Sequence, residues 1–381
     1  MSNNKHVNFY RQLLPVLLGG FLGIIALNLY QRQNPNANFE ELALGETTQS
    51  LFASANGIPI HCSVLSDASP CIEGYLQDNS DLILWLGNSQ IHAINQKQEG
   101  DETATAILHR RLKQSSQYFM AFSQPNASLQ EHYILFEYLL ERLPVHILVL
   151  PIVFDDMRET GIRPELADIF QDPQIVSRLN ETLIGRTLLT TNGDKDSAGN
   201  DMAALNDTVQ EQVEKYLNDN LAESFSLWER RPISRGKLFT DLYKFRNWAL
   251  DINPSSIRKV IPGNYSQNIE AFNAILDTAR THNVKVLTYI VPLRDDAQPP
   301  YNIDEYNTFK AEIASITQSQ GVKHVDLENL VPAEYWGVKP STTIDGDNEL
   351  DFMHFQSSGH KLLAEALHKE LLSLINEESQ K

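Results

Sequence analysis

Five short, nearly continuous apolar segments alternate with stretches of helical periodicity, and this alternation restricts the chain to a small set of folds. The first segment, Asp81–Asn88, reads DLILWLGN, and the others lie at residues 118–123, 145–154, 284–293 and 322–327. Such runs are typical of parallel strands that are buried on both faces. Helical patterns lie at residues 89–97, 129–142, 304–319 and 358–376.

The order of these segments predicts an α/β fold with a parallel sheet whose two faces are covered by helices. The crossovers are expected to be right-handed, and ligands are expected at the carboxyl ends of the strands. Residues 155–263 interrupt the alternation and are predicted to form a mostly helical insertion. Within it, an acidic stretch at 194–223 precedes a basic stretch at 228–259. Both could be solvated surface, or the insertion could contact anionic headgroups or an acidic polymer.

Composition, net charge and the absence of several motifs argue against a number of function classes. The chain has 381 residues, of which 42% are hydrophobic, so we expect either two to three domains or one large α/β domain with an anchor. A net charge of −18 argues against a general nucleic-acid binder. The sequence contains no P-loop, dinucleotide-binding, HExxH or GxSxG motif, and its eleven histidines are scattered. We therefore predict neither a metal ion nor an organic cofactor.

The N-terminus carries an uncharged run of eighteen residues at 13–30, which is at the lower limit for a membrane-spanning helix. The alternatives are a buried core helix, which is rarely apolar on every face, and a signal peptide, for which no small-residue cleavage site follows. Lys5 and Arg11 precede the run and Arg32 follows it, which favours a cytoplasmic N-terminus. We therefore expect a cytoplasmic segment at 1–12, a single-pass transmembrane anchor at 13–30, a stalk at 31–50, and a folded domain at 51–381 on the periplasmic or extracellular face.

Cys62 and Cys71 are the two cysteines of the chain and lie nine residues apart. Ser69 and Pro70, between them, are residues that favour turns. In an oxidising compartment the two cysteines could form a disulfide that closes a short loop, whereas in the cytosol both would be ordinary thiols.

Two short sequence blocks contain residue types that are used in catalysis. Gly87-Asn88-Ser89 ends the first apolar segment, so Ser89 is expected at a strand's carboxyl end and a helix's N-terminus, which suits both an oxyanion and a nucleophile. Asn88 or Ser89 could instead be simple helix caps. Asp351-Phe-Met-His354 precedes the last helix, and its spacing lets Asp351 orient His354 for proton transfer from a serine. A surface turn with an incidental histidine is the alternative.

With these two blocks the sequence resembles the SGNH (GDSL-like) hydrolase superfamily, whose nucleophile block is a strand followed by G-D-S and whose last block is D-x-x-H. Its membrane-anchored layout resembles the DltD and alginate O-acetyltransferase (AlgJ/AlgX) branches. The resemblance covers residues 81–158 and 267–381. It implies a three-layer, flavodoxin-like domain with Ser89 as nucleophile, His354 as base and Asp351 as the residue that orients His354.

The sequence departs from the family pattern at two places. Asn88 stands where the family usually has aspartate, and the G-x-N-D block, which supplies an oxyanion asparagine, is replaced by a segment that ends in Asp155-Asp156. We predict Asn126, at the end of the second strand, and Gln90 as substitute oxyanion donors. Asn126 could equally be a turn residue after Pro125.

The predicted function is acyl transfer through an acyl-serine, with a cell-envelope polysaccharide or related polymer as the acceptor. The resemblance implies a membrane-bound O-acyltransferase as the partner that hands over the acyl group, and no nucleic acid is expected. Two alternatives stay open: an extracytoplasmic ester hydrolase with the same residues, and a non-catalytic scaffold or binding protein of a polymer-export assembly. The altered G-x-N-D block favours the scaffold, whereas the presence of all three triad residue types favours an enzyme.

Overall fold

The computed structural model describes residues 47–63, 65–78, 80–192, 257–341 and 347–376, together with residues 242 and 245. Apart from residues 242 and 245, these residues belong to one compact unit. Among them, no helix is both long and apolar enough to cross a membrane. The predicted anchor at 13–30, the acidic stretch at 194–223 and nearly all of the basic stretch lie outside the described residues.

Short strands and longer helices alternate along the described chain. The strands are β1 Thr48–Ser50, β2 Ser54–Ala55, β3 Ile58–Pro59, β4 His61–Cys62, β5 Asp81–Gly87, β6 Ala93–Asn95, β7 Gln117–Ser123, β8 Val145–Ile152, β9 Lys285–Ile290, β10 Lys323–Asp326, β11 Trp336–Lys339 and β12 Glu349–Phe355. The helices are α1 Leu65–Leu76, α2 Ser89–His92, α3 Ala104–Leu112, α4 Leu129–Leu140, α5 Pro173–Leu179, α6 Pro262–Thr281, α7 Ile303–Ser319 and α8 Ser357–Asn376.

Six parallel strands form the central sheet, in the order β10-β9-β8-β5-β7-β4. If the two-residue edge strand β4 is left out, this is the flavodoxin-like strand order. In that order the second strand of the chain lies on one side of the first strand, and the third strand lies on its other side. Here β5 is that first strand, because β7 pairs with one of its edges and β8 with the other. The predicted α/β fold with a parallel sheet is therefore confirmed, and the switch point lies at the carboxyl end of β5.

Two hydrophobic cores lie on opposite faces of this sheet. Leu82, Leu84 and Leu86 of β5 belong to one core, and Ile83 and Trp85 belong to the other. Helices α1, α4, α6 and α7 contribute to the first core, whereas α3 and α8 contribute to the second. Successive side chains of a strand point to opposite faces, so fully apolar strands such as β5 require helices on both sides. The result is a three-layer arrangement.

The predicted segments agree with the structure except at one helix and one boundary. The five apolar segments coincide with sheet strands, and the last three predicted helices coincide with α4, α7 and α8. The prediction of a helix at 89–97 was wrong, because α2 ends at His92 and Ala93–Asn95 forms β6. β6 pairs antiparallel with β1, and this nonlocal pairing overrides the local helical pattern. β1 falls within the predicted stalk, so the folded unit already includes residues 48–50.

The predicted insertion is described only in part, at residues 155–192 and 257–263. The described part contains 3-10 helices at Asp156–Arg158 and Pro164–Gln171, then α5, then helical residues at 183–192. Leu166, Ile169 and Ile175 are buried in the first core. This part is helical, as the sequence predicted, and it packs as a continuation of the domain.

β11 and β12 form a separate two-stranded antiparallel ladder that carries the D-x-x-H block. Val338 pairs with Leu350, and Trp336 pairs with Phe355. The four residues from 351 to 354 therefore lie opposite the single residue Gly337. Such a bulge bends its strand and redirects side chains, and bulges are frequent next to active sites.

A disulfide joins Cys62 and Cys71, whose Cα atoms lie 6.4 Å apart. Cys62 ends the edge strand β4, Cys71 lies in α1, and both are buried in the first core. Because β4 contributes just two residues to the sheet, the disulfide provides a covalent link between this short edge strand and its neighbouring helix.

Candidate active site

Ser89 lies at the switch point of the sheet, directly after β5. Asn88 caps α2, because its side-chain Oδ1 accepts a hydrogen bond of 3.0 Å from the backbone N–H of Gln90. Ser89 is then the first residue of the helix, and the residue is 6% exposed. The cap predicted as an alternative is thus present at Asn88, and it places Ser89 at the edge where flavodoxin-like sheets bind ligands.

The bulge in β12 brings His354 to Ser89 across 265 residues of sequence. The Ser89 Oγ and His354 Nε2 atoms are 2.9 Å apart, and the His354 Nδ1 and Asp351 Oδ2 atoms are 3.0 Å apart. An ionised carboxylate only accepts hydrogen bonds, so Nδ1 carries the proton and Nε2 is left to accept from the serine hydroxyl. The structure therefore brings the three predicted triad residues together in the order serine, histidine, aspartate.

Asp351 is buried, yet it is surrounded by hydrogen-bond donors. Its Oδ1 accepts from the backbone N–H groups of Met353 and His354, and its Oδ2 accepts from the His354 ring and the Asn95 amide. Burial by itself raises the pKa of Asp351. The adjacent His354 and the two backbone N–H groups lower this pKa by more than burial raises it, so the net value is about 2. The carboxylate is therefore ionised at neutral pH and can stabilise a protonated imidazole.

Asn88, next to Ser89, forms a buried hydrogen bond with a carboxyl group. The Nδ2 of Asn88 donates to Oδ2 of Asp156 over 2.8 Å, which connects the N-terminus of α2 to the 3-10 helix that follows β8. Burial raises the pKa of Asp156 well above its usual range, although the hydrogen bond from Asn88 acts in the opposite direction. A buried carboxyl group with one amide donor therefore occupies the place where the family pattern has G-x-N-D.

Gln90 was predicted as an oxyanion donor, and the structure contradicts this role. Its side-chain Nε2 donates to the backbone carbonyls of Pro292 and Met353, at 3.0 and 3.1 Å, and its backbone N–H is bonded to Asn88. The side chain is fully buried. Gln90 therefore connects α2 to the loop after β9 and to the strand of the D-x-x-H block, and it has no N–H left for a substrate.

Asn126 lies in the turn that follows β7, beside the end of β5. Its side chain is exposed and its backbone is left-handed, with a φ of 52°. This is the turn conformation that the sequence offered as the alternative, and a role as an oxyanion donor stays a prediction. The backbone N–H of Ser89, the first residue of α2, has no partner within the helix.

A buried chain of polar groups beside the triad was not predicted. The Ser123 Oγ lies 2.6 Å from the His61 Nε2 and 2.6 Å from the His92 Nδ1. Phe52 stacks on the His92 ring, with centroids 4.9 Å apart. Burial, with a smaller effect of His360, lowers the pKa of His61 to about 3, and burial together with neighbouring histidines lowers that of His92 well below its usual range. These neutral histidines fix the C-terminal end of α2.

The described residues contain no group of three or more histidine, cysteine, aspartate or glutamate side chains arranged to hold a metal ion. Ser89, His354 and Asp351 have the arrangement that nucleophilic catalysis by a serine requires, with a histidine as general base.

Comparisons with known proteins give matches at the level of structure alone. No family model matches the chain, and neither does any curated protein. Similar solved structures include a protein named as an acylhydrolase from Bacteroides fragilis, with 10% identity over 78% of this chain and 88% of that chain at a TM-score of 0.33. A GDSL-like lipase from Bacteroides thetaiotaomicron has 9% identity over 77% of this chain and 89% of its own, also at 0.33.

A third similar structure is an active-site mutant of a family two carbohydrate esterase from Clostridium thermocellum. It has 9% identity over 78% of this chain and 64% of its own, at a TM-score of 0.35. Similarities at these TM-scores do not determine function. The geometry of Ser89, His354 and Asp351 is therefore the basis for the function proposed below.

Proposed function

We propose that this protein is an SGNH-type serine enzyme that transfers acyl groups through an acyl-serine at Ser89. The observation that carries the proposal is the continuous hydrogen-bonded triad, in which Ser89, His354 and Asp351 are joined by contacts of 2.9 and 3.0 Å. The acceptor we propose is a hydroxyl group of a cell-envelope polysaccharide or related polymer. The acyl donor is supplied by a membrane-bound O-acyltransferase partner, as in the DltD and alginate acetyltransferase branches.

The triad supports two linked acyl transfers. In the first, His354 Nε2 takes the proton of Ser89 as Oγ attacks the ester carbonyl, and it then gives this proton to the oxygen of the leaving alcohol as the ester bond breaks. In the second, His354 takes the proton of the acceptor hydroxyl, whose oxygen attacks the acyl-serine. The new ester leaves, and the proton returns to Ser89 Oγ. The Ser89 N–H and Asn126 are the donors we propose for the oxyanion of each tetrahedral intermediate.

The two alternatives differ from this proposal in defined ways. With water as the acceptor, the same residues perform ester hydrolysis. A scaffold protein would carry out neither step, but a non-catalytic role gives no reason for a serine hydroxyl, an imidazole and an ionised carboxylate to be aligned by hydrogen bonds.

An acyl-transfer assay with the full-length protein in detergent distinguishes these functions. We expect the wild type to release p-nitrophenol from p-nitrophenyl acetate and to acetylate an oligosaccharide acceptor, detected by mass spectrometry, and we expect Ser89→Ala to do neither. Release of p-nitrophenol without acetylated acceptor would support hydrolysis. Absence of both activities in folded wild-type protein would contradict an enzyme and favour the scaffold.

We further propose that residues 13–30 anchor the protein and that the catalytic domain faces the periplasm or the extracellular space. The uncharged run after Lys5 and Arg11 supports this orientation. The disulfide between Cys62 and Cys71 supports it independently, because such bonds persist in oxidising compartments.

This placement predicts that freshly isolated protein contains the bond between Cys62 and Cys71. Mass spectrometry of alkylated, unreduced protein should show both thiols blocked. The closed loop is short, so its loss in a Cys62→Ser/Cys71→Ser variant should lower the free energy of unfolding by about 2–3 kcal/mol, measured in urea without reductant. Two free thiols in the isolated wild type would contradict both the bond and this support for the orientation.

A further inference from the structure

Asn95 is a fully buried residue that touches the triad from outside it. Its Nδ2 lies 3.0 Å from Oδ2 of Asp351 and 3.0 Å from the carbonyl oxygen of Val338. Both contacts are with acceptors, so the NH₂ group must face them, and both of its hydrogens are used. The Oδ1 of Asn95 has no hydrogen-bond partner among the described residues.

The surrounding backbone fixes Asn95 in this position. Asn95 ends β6, and it pairs with Thr48 of β1. On the other side its amide packs directly on Gly337, the residue opposite the bulge in β12. A Cβ atom added to Gly337 would lie 1.9 Å from Oδ1 and 2.1 Å from Cγ of Asn95. The absence of a side chain at Gly337 is therefore what allows the amide to reach Asp351.

We propose that Asn95 is a positioning residue that acts on Ser89 through Asp351 and His354. The Oδ2 atom of Asp351 accepts from both Asn95 and the His354 ring, so the Asn95 amide limits the directions in which the carboxylate can face. With Asp351 held, the His354 ring stays in the plane that directs Nε2 at Ser89. This inference rests on the proposed function, since it concerns how fast Ser89 reacts.

The rate at which a fluorophosphonate probe modifies Ser89 measures this effect without knowledge of the natural substrate. In the full-length protein, we expect Asn95→Ala to lower the second-order rate constant of labelling by about 10- to 100-fold, by analogy with the loss of residues that support metal-bound histidines. If Asn95 acts through Asp351, the same substitution made in an Asp351→Ala background should change the rate by less than about 2-fold. Equal losses in the two backgrounds would overturn the inference, because they would show an action independent of Asp351.

Substitution of Gly337 tests the same contact from its other side. Gly337→Ala should slow labelling to a similar extent, because the added methyl group displaces the Asn95 amide. Once Asn95 is alanine the clash is gone, so the Asn95→Ala/Gly337→Ala protein should label no more slowly than Asn95→Ala. Gly263→Ala is the matched control, since a Cβ atom at that position would meet nothing within 4 Å.

A second control tests whether the effect of Asn95 depends on Asp351 or on its other acceptor, the Val338 carbonyl. The Thr47 hydroxyl also donates to the Val338 carbonyl, so Thr47→Val weakens that anchoring point without touching Asp351. We expect this variant to label at the wild-type rate, and a loss equal to that of Asn95→Ala would overturn the inference. Wild-type protein that is not labelled at all would contradict the proposed function together with the inference. Labelled wild type with an unaffected, folded Asn95→Ala variant would overturn the inference alone.

Discussion

Replacing either Ser89 or His354 with alanine is expected to lower the rate of acyl transfer by about 10⁶-fold, the loss typical of a serine enzyme without its nucleophile or base. The two side chains act as one unit, because Ser89 Oγ reacts only as His354 Nε2 removes its proton across a 2.9 Å contact. The Ser89→Ala/His354→Ala protein should therefore be scarcely slower than either single variant.

Asp351→Asn should be less damaging, with a loss of about 10⁴-fold, because this residue orients the imidazole without reacting. The structure shows why the loss is still large. Oδ1 of Asp351 accepts from two backbone N–H groups, so an asparagine would keep its oxygen there and turn its NH₂ group towards His354 and Asn95. Nδ1 of His354 would then accept a hydrogen bond, the ring proton would move to Nε2, and no base would face Ser89.

Kinetics with p-nitrophenyl acetate measure these losses, and thermal melts show whether each variant is folded. Ser319→Ala and His282→Ala are suitable controls, because both residues are exposed near the C-terminal ends of other helices. A folded Ser89→Ala protein with wild-type turnover would contradict the mechanism. Losses that multiply in the double variant would show that the two residues do not act as a unit.

Stability is expected to fall steeply as the pH decreases below about 6. Four buried histidines have lowered pKa values, and burial is the main cause in each case. The pKa is about 3 for His61 and His132 and about 4 for His360. The pKa of His92 lies well below its usual range. Between these values and the unfolded value of about 6.5, the unfolded chain binds protons that the folded protein excludes. The stability from these neutral histidines is therefore complete above about pH 6.5 and is lost as the pH falls towards their folded pKa values.

Asp156 acts in the opposite direction, because its raised pKa lets the folded protein bind a proton that the unfolded chain releases. The four histidines set against this one carboxyl group give a difference of about three bound protons near pH 5, and His109, His324 and His368, whose pKa values burial also lowers, act in the same direction as the four. Each proton changes the free energy of unfolding by about 1.4 kcal/mol per pH unit, so the slope should be about 4 kcal/mol per pH unit. A free energy of unfolding of about 5–15 kcal/mol is typical of a folded protein. A decrease of one to two pH units would therefore remove much of the stability of this protein.

Urea titrations at pH 7, 6 and 5 measure this slope. His132→Gln should reduce this slope by about 1.4 kcal/mol per pH unit. A free energy of unfolding that stays constant from pH 7 to pH 5 would show that the buried histidines are not held neutral in the folded protein.

The order of the apolar segments predicted the sheet, whereas the meeting of Ser89 with His354 was predicted from the resemblance of their two blocks to the SGNH pattern, with which the chain order agrees. A serine after the first strand of a parallel sheet must lie at its carboxyl edge, and the last block before α8 returns to that edge. Periodicity could not reveal β4 or β6, since strands of two or three residues carry no period and exist through pairing with distant partners. For the same reason the helix predicted at 89–97 was wrong beyond His92.

The partners of the triad were harder to predict than the triad itself. Asn95 is six residues from Ser89 in sequence, but its contact with Asp351 depends on β1, β6 and the bulge opposite Gly337. Gln90 has the residue type of an oxyanion donor, and only its two carbonyl partners show that its amide is already engaged. Side-chain roles that depend on three separate segments leave no local signal in a single sequence.

The most direct test of the account is to identify the residue that a fluorophosphonate probe modifies. Full-length protein is treated with the probe at pH 7.5, digested, and analysed by tandem mass spectrometry. We predict one phosphonylated residue, Ser89, with labelling abolished in Ser89→Ala and nearly abolished in His354→Ala, while both variants keep the wild-type melting temperature. An unlabelled wild type, or an adduct on a different serine that persists in Ser89→Ala, would contradict the assignment of Ser89 as the nucleophile.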